Sequence, residues 1–314
     1  MEMRHLRYFV TVAEELSFSR AAERLHVSQP SLSSQIKKLE EELGVGLFDR
    51  SRRRIRLTDA GRLFLEQSQR LFADLERDVR AVRRVGRGEV GRLTLGFVPA
   101  AANDALPPLL RAFRRRFPDV ELSMHEMNPG QLVDALHEKR IDAAFFYVPF
   151  EDPALEFATV LRESLVLVLP DEHPLAAERE VDVRALADEP FVLPAPYRGA
   201  GLREKIEELC QRSGFVPRVV QEAWLVQTAA GLTASGVGVT MVPASLQNLQ
   251  RTGVVYKRVR GLPAEVELGV VWRRDEASAV LRSFLGVVEE ARRDDARGVG
   301  VRVAGAQDLT LEGV

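Results

Sequence analysis

Cysteine is nearly absent: Cys210 stands alone in 314 residues. A lone thiol closes no internal disulfide and builds no paired-cysteine zinc site. The five histidines, at positions 5, 26, 125, 137 and 173, are scattered without ligand spacing, so no metal site is expected. No run of about 18 apolar residues occurs, which argues against a membrane span. The first 13 residues carry Glu2, Arg4 and Arg7 and lack the apolar centre of a signal peptide. A reducing cytoplasm is the compartment that fits. Catalytic signatures are missing as well: there is no G-x-S-x-G, no Walker loop and no H-E-x-x-H. Neither a catalytic residue nor a cofactor is expected.

Charge of one sign is not in excess either. The formal net charge is −2, but residues 1–90 hold 18 Lys and Arg against 14 Asp and Glu, and the acidic surplus lies beyond them. The densest basic run is Arg50-Ser-Arg-Arg-Arg-Ile-Arg56. An apolar fraction of 46% is that of a globular chain, and the length suggests two or three domains.

What the sequence does contain is a compact pattern between Phe18 and Gly44. Ala21, Ala22 and Leu25 put small and apolar groups on one helical face. His26 and Val27 make a turn, Ser28 is a suitable N-cap, and Pro30 falls in the first turn of the next helix. Leu32, Ile36, Leu39 and Leu43 then form an inward stripe. Outside remain Ser28, Gln29, Pro30, Ser31, Ser33 and Ser34, followed by Lys37 and Lys38. Short hydroxyls and an amide reach base edges, while lysines suit phosphates. One helix face of this kind is ordinary solvated surface. Here spacing, close helix contact, turn and polar tip agree on a helix-turn-helix that enters a major groove. Leu6, Phe9, Val10 and Ala13 supply the inner stripe of a preceding helix. Arg50 to Leu57 reads as a two-stranded wing in which Arg50 and Arg53 meet phosphates or a minor groove.

From Thr58, an N-cap, a helix runs to about Val85 with Ser68, Leu71, Leu75, Val79 and Val82 along one seam. At roughly 27 residues it is far longer than the usual ~11–12, and the seam calls for a partner helix. Gly86-Arg-Gly-Glu-Val-Gly91 matches G-x-G-x-x-G but follows a helix and opens a strand, the reverse of a dinucleotide fingerprint. It is read as a hinge. Strands and helices then alternate: strand 92–97, helix 103–116, strand 120–126, helix 128–136 and strand 141–146 imply a parallel sheet. A second block holds strand 165–169, a strand from Pro190, helix 202–212, strand 219–222, helix 226–234 and strand 236–243. Strand 265–272 and helix 277–291 return to the first block. No internal repeat is evident.

Met3-Arg-His-Leu-Arg-Tyr-Phe9, Phe18-Ser-Arg-Ala-Ala22, Ser28-Gln-Pro-Ser-Leu-Ser33, Leu47-Phe-Asp-Arg50 and Leu57-Thr-Asp-Ala-Gly61 together resemble the N-terminal domain of LysR-type transcriptional regulators. The match is dense over residues 3 to 65, and a looser one continues to about 290. The resemblance implies an all-α winged helix-turn-helix (1–58), a linker helix for dimerisation (59–87), and an α/β two-lobed effector domain like periplasmic binding proteins (88–293). Its lobes would cover 91–161 with 267–293, and 162–266. Residues 294–314 form a tail expected to be poorly ordered. The implied partners are double-stranded DNA with a roughly palindromic operator, a small organic acid between the lobes, and further copies of the chain as a dimer assembling to a tetramer. RNA polymerase stays open as a further partner. A membrane is not among them.

In open α/β sheets ligands sit beyond strand ends, beside helix N-termini. Pro99, Ala100, Asn103, Asn128, Pro129, Gly201, Leu202 and Gln227 are therefore the candidate effector residues. His125-Glu-Met127, Lys139-Arg-Ile-Asp-Ala-Ala144 and His173-Pro-Leu175 resemble the branch that senses muconate, benzoate and related acids of aromatic catabolism. Ala100 and Pro129 stand where that branch carries hydroxyl side chains, and Gly201-Leu202 where it carries an Asn-aromatic pair. The expected ligand is thus an aromatic or otherwise apolar acid, its anion met by backbone N–H groups near Asn103, Asn128 and Leu202. An α/β enzyme, or a solute-binding protein with a fused helical domain, is the competing class.

Overall fold

The computed structural model describes residues 1–49, 55–148, 152–196, 201–261 and 264–296. It divides into two compact units, residues 1–83 and residues 84–314.

In the first unit, helices α1 (Met3–Glu15), α2 (Phe18–Leu25) and α3 (Gln29–Leu43) pack around Phe9, Val12, Ala21, Leu32, Ile36 and Leu39. The stripe of α1 differs from expectation. Val12 is fully buried and Val10 only half, because α1 touches both α2 and α3 and so buries a wider face. Ser17 caps α2, and His26 ends it in the left-handed region at φ 57°. Gly44 ends α3 the same way at φ 70°. The Glu40 carboxylate then accepts from the N–H groups of Leu47 at 2.7 Å and Phe48 at 3.1 Å, which folds the chain back onto the core. The rings of Phe9 and Phe18 lie 5.4 and 5.8 Å from that of Phe48.

Strand β1 (Phe48–Asp49) pairs antiparallel with β2 (Arg56–Leu57), so the wing begins two residues earlier than expected. Arg50 and Arg53 lie outside the described residues. Thr58 caps α4 (Asp59–Gly86) by accepting from the Gly61 N–H at 2.9 Å.

The second unit opens with β3 (Gly91–Phe97), α5 (Pro99–Ala102), α6 (Leu106–Arg116), β4 (Val120–Glu126), α7 (Pro129–His137) and β5 (Ala143–Val148). The glycine-rich segment before β3 is a tight join: Gly88 has φ +66°, and a Cβ there would meet the Ala279 carbonyl oxygen at 2.2 Å. After β6 (Leu155–Pro170) come the short β7 (Glu180–Val181), β8 (Pro190–Pro194), α8 (Gly201–Arg212), β9 (Arg218–Ala223), α9 (Val226–Ala234) and β10 (Thr240–Pro243). The last elements are β11 (Val254–Val259), β12 (Glu265–Arg273) and α10 (Ala279–Ala296). Strands β7 and β11 go beyond the elements expected from the sequence. Helix α10 runs into the expected tail, and residues 297–314 lie outside the described residues.

Three features correct the sequence reading. The sheet is mixed: β3 is parallel to β4 and β5, but β12 runs antiparallel to β5 and β6. Strand β12 arrives from the second lobe without a crossover helix, and such a helix is what makes neighbouring strands parallel. The strand expected at 165–169 is the far half of a longer one: β6 pairs with β12 up to Ser164, then with β10 and β11 from Leu165 onward. It joins two lobes. Finally, the helix expected at 103–116 begins three residues later, as α6, and a separate short helix, α5, precedes it. Pro107 and Pro108 cannot donate to carbonyls one turn back, so they are confined to a first turn and the helix restarts at Leu106.

Candidate functional site

Helix α3 places its polar residues together. Ser28 sits at the N-cap, its Oγ accepting from the Ser31 N–H at 3.4 Å. Gln29, Pro30, Ser31, Ser34, Lys37 and Lys38 are exposed, and Ser33 is half-buried. Leu32, Ile36 and Leu39 on the opposite side are wholly buried. The burial pattern fixes which side faces out, and that side holds the hydroxyls, the amide and the lysines. Lys37 makes only a loose pair with Glu41 at 3.7 Å, an exposed contact of little energetic weight.

Further along the chain, α4 keeps an apolar row in solvent. Ser68 is buried, but Leu71, Leu75, Val79 and Val82 are 46, 44, 40 and 72% exposed. A row of this kind at helical spacing is covered by a second helix or stays a liability.

The second unit contains a cleft between its lobes, with about 570 Å³ of space including its open side. Val98, Pro99, Ala100, Met127, Asn128, Pro129 and Tyr147 line it from the first lobe. Pro194, Ala195, Leu202, Arg203 and the run Trp224 to Gln227 line it from the second. Six of the eight expected residues thus meet in one place: Pro99, Ala100, Asn128, Pro129, Leu202 and Gln227. Asn103 and Gly201 are not in its wall. Asn103 closes α5 instead of starting a helix, and its Nδ2 is buried without a partner among the described residues.

The donors differ from expectation too. At the start of α7, Asn128 Oδ1 accepts from the Gln131 N–H at 2.9 Å, and Gln131 Oε1 accepts from the Asn128 N–H at 3.1 Å. This reciprocal box consumes the two donors, and Pro129 has none. Helix α9 is the opposite case. No side chain caps it, and the Thr228 and Ala229 N–H groups both return to the Leu225 carbonyl. The N–H groups of Val226 and Gln227 have no partner among the described residues, and both residues line the cleft. Gln227 Oε1 is also buried without a partner.

Sequence reasoning missed Arg203, a charged group among the described residues of the cleft wall. Its guanidinium donates to Glu207 and Glu222 at 2.8 Å each and to the Pro194 carbonyl at 2.9 Å. Burial pulls its pKa down, but the bonds to Glu222 and Glu207 outweigh that and raise it. Two carboxylates balance its charge. Tyr147 was missed as well. Burial, with the Glu163 carboxylate nearby, pushes its phenol well above the ordinary value, so the wall is neutral there. The position of Tyr147 within the apolar run 143–148 is its signal in the sequence: one hydroxyl in an otherwise hydrocarbon strand.

Comparison with known proteins decides the family. Residues 3–62 match the profile of the bacterial regulatory helix-turn-helix protein, lysR family, and residues 86–293 match the LysR substrate binding domain. The chain belongs to the LysR family. The transcriptional regulator AlsR of Bacillus subtilis is 36% identical over 287 residues, covering 91% of this chain and 95% of AlsR. CatR of Pseudomonas putida is 39% identical, covering 92 and 99%, and BenM of Acinetobacter baylyi is 32% identical, covering 92 and 96%. Among solved structures, full-length CbnR complexed with its target DNA superposes with a TM-score of 0.70 at 29% identity, covering 92 and 99% of the two chains. This LysR-family chain is a DNA-binding transcriptional regulator with an effector-binding domain, and not an enzyme. Among the described residues, no helix is long and apolar enough to cross a membrane, and no cluster of metal-ligating side chains occurs.

Proposed function

We propose that this regulator responds to a small organic acid with an apolar, preferably aromatic, body, bound in the cleft between the lobes. The observation that carries the reading is the pair of N–H groups at Val226 and Gln227, without a partner among the described residues, in a wall that is otherwise mostly hydrocarbon. A helix start favours negative charge, and an enclosed carboxylate there replaces water with two aligned donors. Ala100, Pro129 and Leu202 supply apolar surface, so a slim dicarboxylate with two hydrated ends fits less well than a benzoate-like monoanion. The anion seat is placed at the start of α9 in preference to Asn103, which is not in the cleft wall, and Asn128, whose N–H is taken by Gln131.

The remaining assignments belong to the same proposal. Residues 1–58 bind the operator through Ser28, Gln29, Pro30, Ser31, Ser33, Ser34 and Lys37, together with Arg50 and Arg53 of the basic run. Residues 59–87 pair two copies through the row Leu71, Leu75, Val79 and Val82. Residues 88–293 hold the effector and assemble dimers into a tetramer. The chain works in the cytoplasm on a roughly palindromic site, where RNA polymerase is the partner that reads the outcome.

The test is a calorimetric screen of benzoates, muconates and neutral apolar controls against the full chain, followed by footprinting with each hit. Benzoate-like acids are expected to bind and to alter the footprint. Driving a 1:99 population to 99:1 takes about 5.5 kcal/mol of preference for one state, so binding and footprint should change together. Binding of neutral compounds alone would refute the anion seat. For the DNA face, Gln29→Ala should cost about 1–3 kcal/mol at the cognate site and relax one base position. Equal affinity of the wild type for cognate and scrambled duplexes would remove α3 as a reading helix.

A further inference from the structure

We propose that His5 is a positioning residue for DNA contact: it turns the amide of Gln35 so that α3 offers N–H donors to a backbone phosphate. The inference rests on the reading of α3 as the DNA-facing helix.

His5 is 1% exposed, an imidazole in the wall of a hydrocarbon core. Its Nδ1 lies 3.3 Å from the Glu2 backbone N–H, which can only donate. A ring nitrogen that accepts carries no proton, so in the neutral ring the proton is on Nε2. Nε2 stands 2.8 Å from Gln35 Oε1 and donates to it. One backbone N–H therefore sets the tautomer, and the tautomer sets which end of the Gln35 amide faces inward. The oxygen is turned to His5. The amide nitrogen makes no hydrogen bond among the described residues, and Gln35 is half-exposed.

Position completes the argument. Gln35 lies one turn after Ser31 and one turn before Lys38, both exposed, on the edge of α3 where the polar face meets α1. Reading an adenine bidentately needs both the oxygen and the nitrogen of an amide. In Gln35 the oxygen is turned inward to His5, so the amide offers its N–H donors outward, and phosphate oxygens are acceptors without sequence information. Without His5 the amide has no reason to prefer one flip over the other, and the donors point outward only part of the time.

The test measures affinity by fluorescence anisotropy on cognate and scrambled duplexes at fixed salt, with melting temperature as the fold control. Gln35→Ala should lower affinity about tenfold on both duplexes, leaving their ratio unchanged. Its salt slope should stay at the wild-type value, since no charge is lost, whereas Lys38→Ala should reduce the slope by about one if it neutralises one phosphate. His5→Ala, which leaves the amide free to flip, should lose a smaller part of that affinity, about twofold for two equally populated flips, and the double variant should lose no more than Gln35→Ala alone. His5→Gln, which restores an N–H donor near the place of Nε2, should recover most of the affinity. A folded Gln35→Ala protein with wild-type affinity overturns the proposal. So do losses that multiply in the double variant, or a loss confined to the cognate duplex. Should His5→Ala fail to fold, Gln35→Ala and His5→Gln still decide. Failure of the α3 reading would look different: Gln29→Ala and Lys37→Ala would then both bind as the wild type does.

Discussion

Tyr147 in the cleft wall donates its hydroxyl to Glu163 across 3.4 Å. Glu163 lies on the strand that joins the lobes, and its other oxygen accepts from the Ser245 N–H of the second lobe at 2.8 Å. A wall residue of the cleft, the connecting strand and the far lobe thus share one carboxylate. Burial is the largest influence on that carboxylate and pushes its pKa up, against the Ser245 and Tyr147 bonds, which favour the charged form.

The sign of the pH effect follows. A carboxyl whose pKa is raised by folding holds its proton more tightly in the native state, so stability is greatest below the ordinary carboxylate range and falls as pH rises through the raised value. Glu163→Gln removes this titration while keeping an acceptor for Ser245. In urea unfolding across pH 4 to 8, its stability relative to wild type should rise with pH. A flat difference would mean that Glu163 ionises freely in the native state.

The apolar row on α4 yields a second expectation. Leu75→Glu together with Val82→Glu should leave the first unit folded, because both side chains are exposed, yet prevent helix pairing. Light scattering at micromolar concentration should report dimers or larger for wild type and monomers for the variant. Operator affinity should fall with the loss of the second half-site.

Val226→Pro tests the anion seat without a cavity as large as an alanine substitution would leave. Val226 is the first residue of α9, a position where proline is tolerated and its only deletion is the N–H. Affinity for a benzoate-like acid should drop roughly tenfold, in keeping with about 1.5 kcal/mol for one hydrogen bond to a charged group. The melting temperature should change little. Unaltered affinity would place the carboxylate elsewhere in the cleft.

Cys210 is fully buried on α8, and burial, followed by the nearby Glu207 charge, pushes its thiol up to about 12. The thiolate is the reactive form. Ellman's reagent at pH 8 should therefore leave the native protein unlabelled and titrate one thiol per chain after denaturation. Rapid native labelling would show that α8 opens readily.

Local patterns determined the helices of the first unit and the family by themselves. Ser28, Pro30 and the stripe Leu32, Ile36, Leu39 define α3 because caps, prolines and helical periodicity act within a few residues of chain. The cleft wall was also largely legible, since strand-to-helix junctions such as Phe97–Pro99 and Glu126–Asn128 mark where ligands meet open α/β sheets. What the tertiary structure alone decided is pairing between distant segments. No local rule sets β12 antiparallel between β5 and β6, or carries β6 across both lobes, because β12 and those two partners lie between 101 and 129 residues apart in the sequence. The same holds for polar accounting. That the Asn128 helix start is closed by Gln131, that Arg203 is spoken for by Glu207 and Glu222, and that His5 turns Gln35, depends on which groups are left without a partner once the chain has packed.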